Sequence, residues 1–291
     1  LWCVAGGTFL YSLLNHWMYL QYGFTEGPRI WTEFWIREGI YATEASFWGV
    51  FITALIGYGF CCFCQKKWSR GIAALLGVLI GNIINIQVGN RMVFMTTFVA
   101  AAVSFGMFFI LNRKNRKLIL RVFLCCCAAL LIGGLAVYSN WEKIQQTPYY
   151  VNIISRDGGI LHNVRFAMII DTLRQLPDNL IGGGHIYPAG FYAVHNYWLQ
   201  AANDTGIWTL ILWIVYSIVA IVDIIKLLLL KNIDRRIKYM LIPMFVAVVG
   251  YMMMEQAGTG KWIYVNFYVM LSAFIHQLVM NEKNENRSGK C

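Results

Sequence analysis

Residues 206–229 read GIWTLILWIVYSIVAIVDIIKLLL, an apolar run interrupted by only two charged residues, Asp223 and Lys226. As a helix, a run of this length can cross about 30 Å of hydrocarbon. The chain of 291 residues is 58% hydrophobic and 13% charged, with a mean hydropathy of +0.55. This composition lies far from that of a soluble globular domain, and it predicts an integral membrane protein.

Seven further apolar runs of comparable length accompany this one, and together they predict eight transmembrane helices. The eight runs occupy residues 2–20, 46–64, 71–87, 92–111, 118–138, 206–229, 239–256 and 263–280. The predicted fold is therefore all-α, a polytopic transmembrane helix bundle that forms a single integral membrane domain over residues 1–291. Because the sequence begins inside an apolar run and without an initiator methionine, we expect it to be the C-terminal part of a longer protein.

The basic residues give the predicted bundle an orientation. If the eight spans alternate in direction, sixteen of the 24 lysines and arginines fall on one side of the membrane and the other eight on the opposite side. Cytoplasmic connections carry the excess of basic residues, so we expect the richer side, which includes the C-terminus, to be cytoplasmic. The same bias accounts for the net charge of +10. Because no basic stripe with interleaved aromatic residues is present, no nucleic-acid partner is expected.

The extracytoplasmic side carries two long polar connections, residues 21–45 and 139–205. In the second connection, helical spacing of apolar residues predicts a helix over 164–176, which Pro177 ends. A further helix is predicted where the connection runs into the next span. We therefore expect a large, partly helical extracytoplasmic loop over 139–205, and we expect the functional site to lie in it.

Three features of this loop suggest particular chemistry. Arg165 lies near the start of the first predicted helix, and His195 lies near the start of the second, with the carboxylate of Asp204 nearby in sequence. A histidine suits proton abstraction because its ordinary pKa lies near physiological pH. The glycine triplet at 182–184 is either a turn whose backbone N–H groups hold an anion or an ordinary loop.

Two ionisable residues at the ends of predicted spans have open interpretations. Arg91 lies on a short connection, where its guanidinium either reaches lipid headgroups or faces a cavity and binds phosphate. Glu255 ends the seventh span close in sequence to Lys261. Two interpretations of Glu255 are equally open: a functional residue, or a member of an interfacial ion pair.

Other polar residues in the spans are interpreted as packing residues. Asn15, His16 and His276 are expected to form hydrogen bonds between helices. Asp223 and Lys226 are expected to form a local ion pair.

Two cysteine clusters, Cys61–Cys64 and Cys125–Cys127, lack the paired spacing typical of metal sites. Cysteine is a good small buried residue, so packing is the favoured role, with reversible acylation of Cys61–Cys64 as the alternative. The predicted outer loops contain no cysteine, and no disulfide framework is implied.

The long loop also carries an ordered pattern: an arginine that opens an amphipathic helix, a later proline, a G-x-G, and an H-N-x-x-L-x-x-x-x-acid-x-G element. The residues are Arg165, Pro177, Gly182, Gly184, His195, Asn196, Leu199, Asp204 and Gly206. With this pattern the chain resembles the O-antigen ligase and O-antigen polymerase superfamily of bacterial polytopic membrane proteins. Two upstream segments, Gly89–Arg91 and Arg37–Gly39, are similar to the family's arginine-bearing outer loop and its R-x-G segment. The chain departs from the family where N-P-N is replaced by Thr43–Ala45, and where Asp204 stands in place of a common glutamate.

The resemblance implies transfer of a glycan from undecaprenyl diphosphate to an acceptor hydroxyl on the outer face of the bacterial cytoplasmic membrane, without a metal or other cofactor. It implies that Arg91 and Arg165 stabilise the leaving diphosphate and that His195 acts as the base. The implied substrate-binding residues are Arg156, Arg174, Gly182, Gly184, Asn196 and Asp204. The side chains expected to stack on sugar rings are Tyr149, Tyr150, Tyr187, Tyr192 and Trp198.

The implied partners are a lipid-linked oligosaccharide donor, a glycan or lipid acceptor, membrane lipids and polysaccharide-assembly proteins. The acceptor would distinguish a polymerase from a ligase, and the sequence leaves both open. A transporter or flippase of the same lipid-linked sugars is the alternative. It should place charges or helix breaks near the membrane midplane, where these runs have few. A sensor or assembly scaffold would not account for the ordered arginine and histidine pattern.

Overall fold

The computed structural model describes residues 2–23, 30–32, 34–35, 39–41, 48–88, 91–146, 164–188, 194–254 and 262–288. The chain divides into two compact units, Leu1–Ile160 and Leu161–Cys291. Apart from one short hairpin, the regular elements in the described residues are helices, as the apolar runs predict.

The first unit contains six helices and a two-stranded hairpin in its described residues. In chain order these elements are α1 Trp2–Tyr22, β1 Ile30–Thr32, β2 Gly39–Tyr41, α2 Trp48–Cys64, α3 Trp68–Val88, α4 Arg91–Leu111, α5 Arg116–Ser139 and α6 Trp141–Gln145. The strands pair antiparallel, with Ile30 opposite Tyr41, and their β-branched and aromatic residues favour this pairing. The hairpin is a departure from a purely helical chain, since the apolar periodicity of such short segments does not separate strand from loop.

Helix α2 forms the centre of the first unit, because it packs against α1, α3 and α4. Its Ile52, Ile56 and Phe60 are buried, and the ring centroid of Phe60 lies 5.7 Å from that of Phe108 on α4. In the described residues, apolar side chains from neighbouring helices thus hold the first unit together.

The second unit contains five helices in its described residues. They are α7 Val164–Gln175, α8 Tyr197–Thr205, α9 Ile207–Leu229, α10 Arg235–Met254 and α11 Trp262–Ser288, with a 3-10 turn at Leu176–Asp178 after α7. Helix α10 contacts α8, α9 and α11, and most of its side chains are buried. Its 20 residues correspond to a length of about 30 Å.

Over their described residues, the eight predicted apolar runs lie almost entirely in helices, namely α1–α5 and α9–α11. Within the described residues, three helices are long and apolar enough to cross a membrane: Val93–Leu111, Ile207–Leu229 and Arg235–Met254. These three support the expectation of a helical membrane protein.

The thiols of Cys61, Cys62, Cys64 and Cys125–Cys127 are not joined in disulfide bonds. Cys61 and Cys62 are buried in the first unit, and the Asn112 side-chain amide donates to Cys64 Sγ at 3.2 Å. Cys125 and Cys127 are exposed and Cys126 is half-buried, as expected when consecutive residues point in different directions around a helix. These placements support packing at Cys61 and Cys62.

Polar residues of the predicted spans form hydrogen bonds within the fold. Asp223 on α9 is buried, and its carboxylate lies 2.6 Å from His276 Nδ1 on α11 and 3.4 Å from Lys226 Nζ. The predicted ion pair and the predicted interhelical role of His276 are therefore confirmed. Asn15 instead accepts from the Phe34 backbone N–H at 2.9 Å and donates to Tyr11 O at 3.0 Å, so both of its partners are backbone groups.

The connection between α9 and α10 is tied by its own polar contacts. Asp234 accepts from the backbone N–H of Arg236 at 2.8 Å and so caps the start of α10. Hydrogen bonds from Arg236 hold the pKa of the Asp234 carboxyl below its usual range. The buried Lys238 ammonium donates to the carbonyls of Leu228 and Leu230 at the end of α9, where a cation is favoured.

We expect Asp223→Ala to lower the free energy of unfolding by about 1–3 kcal/mol, because the substitution removes a buried acceptor from both His276 and Lys226. Their side chains are more than half exposed (52% and 55%), which keeps the loss moderate. Thermal unfolding of the detergent-solubilised protein measures the change. The exposed Asp178→Ala is the control and should shift stability by less than about 0.5 kcal/mol. Equal shifts for the two variants would rule out a stabilising role for this contact.

Candidate functional site

Residues from two separate parts of the long loop converge on the end of α10. Arg165, at the start of α7, donates from Nη1 to the carbonyl of Met254 at 2.8 Å. Asn196, directly after His195, donates from Nδ2 to the neighbouring carbonyl of Met253 at 3.3 Å. The final carbonyls of a helix have no partner within the helix and carry partial negative charge. The end of α10 therefore brings together the arginine and the histidine segment that the sequence pattern predicts as a site.

The position of His195 is determined by the residues on either side of it. Asn196 is the N-cap of α8, with φ −160° and ψ 121°, and its Oδ1 accepts from the Leu199 N–H at 3.1 Å. On the other side, the Val194 N–H donates to Gln200 Oε1 at 2.6 Å. An N-cap side chain binds an amide two or three residues into the helix, which explains the N-x-x-L spacing. His195 itself is half-buried, on a backbone anchored at both neighbours.

Asp204 acts on this backbone through Gln200. The Gln200 Nε2 group donates to Asp204 Oδ1 at 2.7 Å, while its Oε1 accepts from Val194. Through Gln200, Asp204 helps to fix the backbone of Val194, the residue before His195. Gln200 was not among the predicted site residues, although its position four residues before Asp204, one helical turn away, is a signal in the sequence.

The glycine triplet at 182–184 packs against the C-terminal end of helix α8 and binds its last carbonyls. The N–H of Gly183 donates to the carbonyl of Asp204 at 3.1 Å, that of Gly184 to Asn203 at 2.8 Å, and that of Gly182 to Asn179 at 3.2 Å. All three amides are thus engaged by backbone carbonyls, so the interpretation of these N–H groups as an anion cradle does not fit this arrangement. The ordinary-loop interpretation fits. The loop donates hydrogen bonds to the last carbonyls of α8, which have no partner within the helix.

Asn203 joins the same loop to α8 through its buried side chain. Its Oδ1 accepts from the Ile186 N–H at 3.0 Å, and its Nδ2 donates to the Ile186 carbonyl at 3.2 Å. Sequence reasoning missed this residue, because a buried asparagine with two backbone partners has no distinctive spacing. Its effect is to hold the segment after the glycines in register with α8.

Two glycines of the motif, Gly182 and Gly206, pack directly against each other. Gly206 has φ +97° and ψ 174°, a conformation that is essentially restricted to glycine. A Cβ at Gly206 would lie 2.7 Å from the Ile181 carbonyl, and one at Gly182 would overlap the Gly206 nitrogen. The glycines of the G-x-G and acid-x-G elements are therefore required by backbone contact between α8, α9 and the loop.

We expect Gly206→Ala to lower the free energy of unfolding by about 1–3 kcal/mol from backbone strain alone, with a further loss from the contact at Ile181. The matched control is Gly184→Ala, where φ is +73° but a Cβ meets nothing within 4 Å. Thermal unfolding should show the larger loss for Gly206→Ala. A loss at Gly184 as large as that at Gly206 would contradict the packing explanation.

One predicted sugar-stacking residue has a different role. The Trp198 indole N–H donates to Ser217 Oγ at 3.0 Å, and the Tyr268 hydroxyl donates to the same oxygen at 3.0 Å. The Trp198 ring also packs against the buried cluster that includes Leu176 and Ile186. These contacts assign Trp198 a structural role instead of the predicted stacking on a sugar. Its side chain holds α8 against α9 and α11. Nearby, burial raises the pKa of the Tyr197 hydroxyl.

The remaining candidates are placed less completely. The Arg174 side chain is 77% exposed and lies 4.0 Å from Asp171, and Tyr187 is exposed, so both remain predictions. Arg91 begins α4 in the first unit. The other residues of the predicted pattern lie outside the described residues, except that Gly39 begins β2: Arg37, Glu38, Thr43–Ala45, Gly89, Asn90, Tyr149, Tyr150, Arg156, Tyr192, Glu255 and Lys261. Within the described part of the chain, no group of three or more His, Cys, Asp or Glu residues could hold a metal ion.

Comparison with protein-family models finds no match, and a search of curated proteins finds no relative. The candidate site therefore stands on its own geometry and on the ordered motif.

Proposed function

We propose that this chain is a bacterial cytoplasmic-membrane protein that transfers or polymerises glycan from an undecaprenyl-diphosphate donor, acting as a polysaccharide polymerase or ligase without a metal. The observation that supports the proposal most is the meeting of Arg165 and the His195–Asn196 segment at the end of α10. The cation of Arg165 can stabilise the leaving diphosphate, and His195, on the same anchored segment as Asn196, can accept the proton of the acceptor hydroxyl.

In the proposed reaction, the acceptor hydroxyl oxygen attacks the anomeric carbon while the bond from that carbon to the diphosphate oxygen breaks. His195 accepts the hydroxyl proton as general base. Arg165 stabilises the negative charge that develops on the leaving lipid diphosphate. A guanidinium carries five N–H donors, and the bond to Met254 holds this cation in a defined position. Attack opposite the diphosphate gives inversion at the anomeric carbon.

The proposed topology has eight spans, formed by α1–α5 and α9–α11. It places the 139–205 loop on the outer face and the C-terminus in the cytoplasm, following the distribution of basic residues. An outer-face site requires a lipid-linked donor, because nucleotide sugars are cytosolic substrates. Arg91, at the start of α4, is proposed as a second cation on the basis of the family resemblance.

The test is in-vitro transfer from a lipid-diphosphate donor by the purified full-length protein and by His195→Ala, Arg165→Ala and Arg91→Ala. We expect glycan products from the unaltered protein and strongly reduced products from each variant. Full activity in all three variants would show that the site is assigned wrongly. Alternating accessibility of the spans without glycan transfer would instead identify a transporter of lipid-linked sugars. The accepted acceptor distinguishes polymerase from ligase.

A further inference from the structure

Helices α4 and α5 of the first unit border an open apolar groove that has no part in the proposed transfer site. Its volume is about 580 Å³, within the range of small-molecule sites. Aromatic and aliphatic side chains line its length: Phe105, Phe109, Ile119, Leu120 and Phe123. The ring centroids of Phe105 and Phe123 lie 6.5 Å apart. We call this feature the α4–α5 groove.

Two arginines complete the lining of the α4–α5 groove. Arg113 belongs to the connection after α4, and Arg116 is the first residue of α5. The same short connection carries Lys114 and Lys117, but these lysines do not line the groove. The groove therefore has a cationic end formed by arginine and apolar walls formed by phenylalanine and leucine.

The apolar walls are open to the surroundings of the helices. Phe109, Leu120 and Phe123 are 53%, 57% and 49% exposed. Val93–Leu111 within α4 is long and apolar enough to cross a membrane, so in a bilayer these walls face acyl chains and the arginines lie near the headgroups. An occupant can enter sideways from the lipid without crossing the protein.

We propose that the α4–α5 groove binds an anionic phospholipid, with its phosphate on Arg113 and Arg116 and one acyl chain along the phenylalanine walls. Arginine forms paired hydrogen bonds with phosphate oxygens, whereas lysine acts as a point charge. Basic pockets between membrane helices are suited to anionic headgroups. The apolar length of the groove disfavours a small soluble anion, and the two cations disfavour an apolar helix of a second copy.

Native mass spectrometry of the full-length protein in detergent, titrated with phosphatidylglycerol and with phosphatidylcholine, tests the proposal. We expect phosphatidylglycerol to bind at least about ten-fold more tightly. The double variant Arg113→Ala/Arg116→Ala should lose about ten-fold or more of this affinity. The matched control, Lys114→Ala/Lys117→Ala, removes the same charge from the same connection and should retain most of the affinity.

A third variant tests the apolar part of the site. Leu120→Trp keeps every charge and fills the groove, so we expect it to weaken phosphatidylglycerol binding to a similar degree. It also decides the matter if the double arginine variant does not fold. If the arginine and lysine variants lost equal phosphatidylglycerol affinity, binding would depend only on the overall surface charge of the connection, and the proposal would be overturned. Unchanged binding in Leu120→Trp, or full displacement by soluble glycerol phosphate, would overturn it as well.

Discussion

Replacing His195 by alanine is expected to lower the rate of glycan transfer by about 10²–10⁴-fold, the usual contribution of a positioned general base. The histidine lies between Val194 and Asn196, which are both tied to α8. Such anchoring limits movement of the imidazole relative to the acceptor hydroxyl, and good positioning is what makes a general base effective. Initial rates of transfer from a lipid-diphosphate donor measure the loss, with donor binding recorded separately.

The matched control for this prediction is His185→Ala. His185 lies in the same loop and is exposed, so its removal should change the rate by less than about two-fold, as for most surface substitutions. The thermal stability of His195→Ala should remain close to that of the unaltered protein. A similar rate loss in both histidine variants would remove the specific role of His195.

Replacing Arg165 by alanine is expected to lower the transfer rate by about 10²–10³-fold, the cost of losing one preorganised group that stabilises developing charge. Arg165→Lys should recover only part of this rate, because an ammonium lacks the planar donor geometry that matches phosphate. The matched control is Lys143→Ala, which removes an exposed cation of the same loop and should cause a much smaller loss. Rates at saturating donor, together with donor affinity, separate binding from the chemical step.

Arg165 also satisfies a carbonyl at the end of α10, so its structural and chemical roles need separate measurements. A cation near a helix C-terminus contributes about 0.3–1 kcal/mol, and Arg165→Lys should retain most of that stability. We therefore expect Arg165→Lys to unfold near the temperature of the unaltered protein while transferring glycan slowly. If Arg165→Ala lowered stability but left the activity of the folded protein unchanged, the arginine would be only a capping residue.

The long helices of this protein, and the contacts between residues close in sequence, could be predicted from the sequence. Helices occur at each of the eight apolar runs, and α7 covers nearly the stretch that helical spacing indicates before Pro177. The Asp223–Lys226 pair was predictable because residues three apart on a helix are neighbours. Both kinds of prediction depend only on interactions that are close in sequence.

The contacts that organise the candidate site were not predictable in the same way. The roles of Gln200 and Asn203 depend on backbone groups that reach them through the fold. Trp198 is predicted to stack on a sugar, but its half-buried ring packs against a buried cluster and its N–H donates to Ser217 Oγ. An aromatic residue in a polar loop has the same local pattern whether it faces a ligand or a neighbouring helix, so burial alone decides between the two.

By itself, the sequence determined that the chain is helical and that it contains helices long and apolar enough to cross a membrane, because the length and polarity of an apolar run depend on the chain alone. It also determined the order of the arginine, glycine and histidine elements along the loop. Only the tertiary structure decided that Arg165 and Asn196 bind the adjacent carbonyls of Met254 and Met253. It also decided that the amides of Gly183 and Gly184 bind the last carbonyls of α8. The physical reason is that helix ends expose unpaired backbone groups, and which distant side chain or loop satisfies them is settled by packing.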